Sequence, residues 1–154
     1  MDGLATFIPH IDVLLRGLRI SRERLHSRSK VAVEAKLLRA LIQIAADRAP
    51  FDAAFYLERY PDVADAVADG LVADPHQHYV ETGFFEGRIG APAPVDEAFY
   101  LDQYPDVAQA LKNGTVASAT EHYVRSGASE GRLPNAELHP ELERWAQLLR
   151  EQAS

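Results

Sequence analysis

The 154-residue chain has no cysteine, so no disulfide, thiolate metal site or cysteine nucleophile can form, and the redox compartment is left open. It has no uncharged apolar run near the ~18 residues that a membrane span requires. The signatures of common active sites are missing too. There is no Gly-x-Ser-x-Gly elbow, phosphate-cradling glycine loop, His-Glu-x-x-His pair or dinucleotide fingerprint, so an enzyme is not expected. Acidic side chains are plentiful, 23 against 16 Lys and Arg, but a solvated surface accounts for them without catalysis. The apolar stretch within residues 1–20 is interrupted by Asp2, Pro9 and Asp12 and has no Ala-x-Ala-like cleavage site. No Sec signal is expected, and localisation is left open.

What the chain does have is repetition. Residues 51–88 read FDAAFYLERYPDVADAVADGLVADPHQHYVETGFFEGR and residues 95–132 read VDEAFYLDQYPDVAQALKNGTVASATEHYVRSGASEGR, an ungapped match at an offset of 44 in which about half the positions agree. A period of that size marks stacked helical units, none able to bury its own apolar face alone. Hydrophobic residues at 47% and charged residues at 25% fit an ordinary globular domain rather than a disordered or fibrous chain. Charge is unevenly divided: up to Arg48 nine Lys and Arg face five Asp and Glu, against seven and eighteen beyond it. Acidic repeats repel a phosphate backbone, so nucleic-acid binding is not expected. The basic front could meet an anionic partner or dock on the acidic repeats of a neighbouring copy.

The periodicity predicts an all-α fold: an N-terminal helical pair over 1–48, three-helix repeats over 51–90 and 95–134, and a C-terminal capping helix over 138–154. In the first helix Leu4, Phe7, Ile8, Ile11, Leu14, Leu15 and Leu18 recur at three- and four-residue steps, with Pro9 near the first turn. A break at 27–29 precedes a second helix from about Lys30, with Val33, Leu37, Leu38, Leu41, Ile42 and Ala45 on one face and an end before Pro50. The pair could pack as a hairpin on the first repeat or join another chain as a bundle. Self-association through residues 4–45 is expected from the width of the stripe. Within each repeat Asp52 or Asp96 reads as an N-cap, Pro61 or Pro105 restarts the helix, and Gly70 or Gly114 ends it in a left-handed conformation. The third helix carries His78-Tyr79-Val80 or His122-Tyr123-Val124 and is expected to stop at Gly83 or Gly127. A Glu-Gly-Arg turn closes each unit, and Ala91-Pro92-Ala93-Pro94 forms a stiff spacer. Trp145 is expected to lie against the second repeat within an amphipathic helix over 140–152.

The string F-D-x-x-F-Y-L-x-x-Y-P-D-V-A, then a helix stop, then H-Y-x-x-x-G-x-x-E-G-R resembles a short repeat of bacterial proteins. That repeat is appended to glycosyltransferases of surface-polysaccharide gene clusters and occurs in large secreted proteins with calcium-binding repeats. The resemblance covers residues 51–134, leaves out 1–48, and brings neither a glycosyltransferase domain nor a calcium-binding array. It implies a small accessory helical unit with a link to surface glycans.

Individual constellations read mostly as scaffold. His76 and His78 point to nearly opposite sides of a helix, and Thr120 replaces His76 in the second copy, so no metal site is expected. Asp62, Asp65 and Asp69 share a helical stripe, but the second copy has Asp106, Gln109 and Asn113, and no EF-hand spacing is present. Asp62 and Asp106 follow proline at a helix start, where capping is expected. His78 and His122 are expected at a seam between helices. Arg88 and Arg132 could staple the closing turn through a planar fork or recognise a sugar or carboxylate. Tyr56, Tyr60, Tyr79, Tyr100, Tyr104 and Tyr123 could stack on pyranose rings, with one tyrosine exposed per repeat. The candidate binding set is therefore these six tyrosines with His78, His122, Arg88 and Arg132, with no cofactor and no catalytic residue. The expected function is a non-enzymatic accessory binding module associated with bacterial surface polysaccharide, recognising glycan or a glycan-handling protein. The alternatives are a structural, oligomerising subunit and a regulatory partner of a glycosyltransferase.

Overall fold

The computed structural model describes residues 9–153, and every regular element among them is helical: the fold is all-α. No helix among the described residues is long and apolar enough to cross a membrane. The stripe residues Leu4, Phe7 and Ile8 lie outside the described residues. Pro9 precedes α1 (Ile11–Leu18), whose Asp12 N–H donates to the ring of His10 and which ends at Arg19 with φ 55°. The short α2 (Arg22–Leu25) is capped by Ser21. α3 (Ala35–Asp47) starts at Ala35 rather than near Lys30. The delay has local causes. The Ser27 hydroxyl donates to the Arg24 carbonyl (2.8 Å) and accepts the Ser29 N–H (3.2 Å), while β-branched Val31 and Val33 disfavour helix.

α3 ends before Pro50, as expected, and packs on the first repeat. Its Arg39 guanidinium donates to the Glu81 carbonyl (2.6 Å) and lies 3.8 Å from the centre of the Phe85 ring. That contact engages one side of the helix. On its outer side Leu38 and Leu41 remain 50% and 41% exposed.

The first copy builds α4 (Ala53–Arg59), α5 (Pro61–Ala68) and α6 (Pro75–His78), and the second builds α7 (Glu97–Gln103), α8 (Pro105–Lys112) and α9 (Ala119–His122). Local chemistry sets each boundary. The carboxylates of Asp52 and Asp96 each accept an N–H at 3.0 Å, from Phe55 and Phe99, satisfying amides that a helix start leaves free. Pro61 and Pro105 occupy first helical positions, and Gly70 and Gly114 end α5 and α8 at φ 72° and 71°. Each copy then closes its own core: Tyr56, Val63, Tyr79 and Val80 in one, Tyr100, Val107, Val116 and Ala119 in the other.

The third helix stops at Gly83 or Gly127, as expected, and its last five residues in each copy are of π type. In the first copy the Phe84 N–H donates to Tyr79 and the Arg88 N–H to Gly83, at 2.7 and 2.9 Å. The second copy repeats both bonds from Ala128 and Arg132. The left-handed residue comes later, at Gly87 and Gly131. Gly83 and Gly127 serve a further need: a Cβ on either would run into the hydroxyl of Tyr56 or Tyr100.

After the second repeat, Asn135 caps a 3-10 turn (Ala136–Leu138) and its amide donates to the Pro94 carbonyl at 2.6 Å, tying this turn to the spacer. α10 (His139–Ala153) follows. The expected docking of Trp145 on the second repeat is not found, because the indole is 61% exposed and α10 meets the turn that precedes it instead.

Gly83→Ala and Gly127→Ala should each lower stability by roughly 2 kcal/mol, the usual scale for overpacking. Adding Tyr56→Phe to Gly83→Ala removes the obstructing hydroxyl, so a double-mutant cycle followed by urea unfolding should show recovery. Strict additivity would place the strain elsewhere.

Candidate functional site

The ten candidate side chains separate into those the fold uses and those it leaves unspent. Tyr56 and Tyr100 are both 0% exposed, so neither can stack on a ligand. Their hydroxyls are hydrogen-bonded to Nδ1 of His78 (3.1 Å) and of His122 (3.0 Å). This is the seam expected for the two histidines, with a phenol as the partner. Burial pushes both phenols up to about 12, since the ionised form would lose its hydration. Tyr60 and Tyr104 are half-buried, and their hydroxyls accept the Ile89 N–H (2.8 Å) and the Leu133 N–H (2.7 Å). No tyrosine is freely exposed, so the expected exposed ring in each repeat is absent.

Arg88 and Arg132 are staples in geometry. Arg88 places its two terminal nitrogens on the two oxygens of Asp62, at 3.0 and 2.8 Å, and its Nε on Glu86 at 2.8 Å. Arg132 repeats the pattern on Asp106, at 3.0 and 2.8 Å, and on Glu130 at 2.6 Å. Each guanidinium also lies 4.9 Å from the centre of a tyrosine ring, Tyr60 or Tyr104. The fork therefore joins the closing turn to the start of α5 or α8. It binds two carboxylates. Asp62 and Asp106 do hold first-turn backbone amides, as expected of a residue at a helix start, and each also takes as its main partner an arginine 26 residues further on. The hydrogen bond from Arg88 holds the Asp62 carboxyl below its ordinary range, and Arg132 does the same for Asp106.

His76 and His78 go to different neighbours. The His76 ring lies 4.7 Å from that of Phe51, and its Nε2 is buried with no hydrogen-bond partner among the described residues.

Tyr79 and Tyr123 are placed differently from the other four tyrosines. Both line one open groove of about 460 Å³ between the repeats. Ala49, Pro50, Ala93 and Pro94 form part of its walls, so the two copies contribute equivalent residue pairs to one surface. Tyr79 is only 5% exposed and packs against Phe51, Tyr56 and Phe84, and Gly90 lies so close to its ring that a Cβ there would stand 2.9 Å from it. Burial raises both phenols. Among the described residues neither hydroxyl has a hydrogen-bond partner, so each can still serve as donor and acceptor. Sequence reasoning missed this pairing because the groove depends on how the spacer and the two closing turns come together. The one available signal was the recurrence of Ala-Pro before each repeat, at 49–50 and 93–94.

Lysine at Arg88 or Arg132 keeps the charge but loses the fork, so each change should cost about 1 kcal/mol in thermal or urea unfolding. Asp62 and Asp106 have depressed folded-state values, so the stability they contribute is present above the ordinary carboxylate value of 3.8 and is lost as pH falls through the lower folded-state values. Tyr56 and Tyr100 act at the other end, and stability should decline as pH rises from 10.0 towards about 12. A melting series against pH should show both shoulders, and the acid one should flatten in an Asp62→Asn, Asp106→Asn variant. No family model, no curated protein and no solved structure matches this chain.

Proposed function

We propose that the chain is a non-enzymatic accessory module of bacterial surface-polysaccharide handling that recognises glycan in the groove between its repeats. The observation that carries this reading is the pairing of Tyr79 and Tyr123 on one groove with their hydroxyls unspent. Polysaccharides are built from repeated units, and two phenols at equivalent places in two repeats offer the same hydrogen-bonding group twice. The walls of proline and alanine supply apolar contact for the carbon faces of a sugar. Net charge of −7, with eighteen acids against seven bases beyond Arg48, favours neutral or cationic polymers over anionic ones. The sequence resemblance to repeats appended to surface-polysaccharide glycosyltransferases supplies the setting. A glycan-handling protein is the other occupant that setting allows.

A second reading, self-association through residues 4–45, is favoured by a separate observation. Val13, Val33, Leu38 and Leu41 remain exposed on the described part of that segment, and contact with a second chain would take them out of water. The two readings are compatible, since the groove and this stripe involve different residues.

Polysaccharide pull-down on immobilised neutral and charged bacterial glycans tests the first reading. The native chain should be retained on a neutral or cationic polymer, and a Tyr79→Phe, Tyr123→Phe variant should bind about tenfold more weakly with its melting temperature unchanged. Retention that ignores both hydroxyls, or no retention on any glycan, would count against it, and capture of a glycosyltransferase in their place would turn the module into a protein adaptor.

A further inference from the structure

We infer that α10 docks through Leu142, Trp145 and Leu149 on the outer face of α3 in a second copy of this chain, joining molecules head to tail. The inference rests on the self-association reading and adds the mate for the N-terminal segment. Leu138, Leu142, Trp145 and Leu149 follow one another at steps of four, three and four, the spacing that keeps one seam along a helix. All four are exposed, Trp145 at 61% and Leu149 at 63%. The rest of α10 is mainly charged or polar, with Glu141, Glu143, Arg144, Arg150 and Glu151. A helix of 15 residues spans about 22 Å, long enough to cover the 13-residue α3.

The receiving face is Leu38 and Leu41, spaced by three, with exposed Ala45 a further four on. That spacing matches the α10 seam. Arg39 fixes α3 to the first repeat through Glu81 and Phe85, and Leu38 and Leu41 stay 50% and 41% exposed.

Charge selects the occupant. The chain carries nine basic against five acidic residues up to Arg48 and seven against eighteen after it. Most of those acids lie in the repeats, and α10 itself adds three Glu against two Arg, so two copies attract when the basic front of one meets the rear of the next and repel when rear meets rear. An interface between two different patches of the same molecule is heterologous, and it propagates into rings or open chains unless one patch is removed.

The test uses the full chain in sedimentation velocity and light scattering across a concentration series, with far-UV circular dichroism to confirm equal helicity in each variant. Native protein should grow in mass with concentration and do so less at high salt. Trp145 is the single tryptophan, so its emission should shift to shorter wavelength as the complex forms. Trp145→Glu in α10 and the double change Leu38→Glu, Leu41→Glu in α3 should each leave the protein monomeric across the same concentration series, weakening self-association at least about tenfold. Mixing the two variants is the decisive arm. Each still has one intact patch, so the pair should form a heterodimer in which the tryptophan of the α3 variant becomes buried. A native chain that stays monomeric overturns both this inference and the self-association reading. A chain that assembles normally with Trp145→Glu, or variants that fail to complement, overturns this inference and leaves that reading in place.

Discussion

Each repeat depends on one phenol ring with no exposure to water. Tyr56 and Tyr100 enter their cores from α4 and α7, and their hydroxyls occupy the space where a side chain at Gly83 or Gly127 would stand. A buried hydroxyl without a partner is costly, and the imidazole Nδ1 of His78 or His122 supplies one. Three distant parts of the chain are joined by that arrangement: the first helix, the third helix and the π-type turn. Truncating such a ring to alanine would cost on the order of 3–5 kcal/mol, a large share of the stability of a domain this size.

The polar groups around this ring are consumed in turn. Tyr60 and Tyr104 hold the backbone that leaves the closing turn, and Arg88 and Arg132 lie over those same rings while binding carboxylates of α5 or α8. Residues that look like a recognition surface because they recur in both copies thus recur because each copy has to fold. What remains free is narrower and points to function: two phenol hydroxyls in the groove between repeats, and two apolar faces at opposite ends of the chain. The proposed glycan site and the proposed contact between copies use these unspent groups, with Tyr79 giving its ring to the first core and only its hydroxyl left without a partner. Assembly would place several grooves along one complex, and a polymer contacting more than one gains in overall affinity.

Much of the architecture is legible in the sequence wherever the cause is local. Asp52 caps a helix four residues before Tyr56, Pro61 opens the next, and Gly70 closes it, each through the conformational bias of the residue itself. Reading fails where a residue answers to something distant. Gly83 does end its helix, yet what bars a side chain there lies 27 residues earlier in Tyr56. Asp62 holds first-turn amides as a residue after proline should, but its main partner, Arg88, lies 26 residues on and is not visible from helix rules. Both distances recur in the second copy, so pairing residues conserved between the two copies would have been a better guide than helix rules alone. Trp145 failed for another reason: an amphipathic pattern reports that a face needs covering and does not identify the cover. The candidate site was the least legible part, since Tyr79 and Tyr56 are alike in sequence and differ only in what surrounds their hydroxyls.

The central claim is that the hydroxyls of Tyr56 and Tyr100 are sealed and held by a histidine ring, while those of Tyr79 and Tyr123 have no hydrogen-bond partner among the described residues. Proton NMR of the native chain at neutral pH tests it most directly, because a phenolic proton is seen only when its exchange with water is slow. Two such resonances are expected, assigned by their individual loss in Tyr56→Phe and Tyr100→Phe, each with cross-relaxation to a histidine ring. Rapid exchange of all six phenols, or slow protons belonging to Tyr79 and Tyr123 instead, would contradict the account.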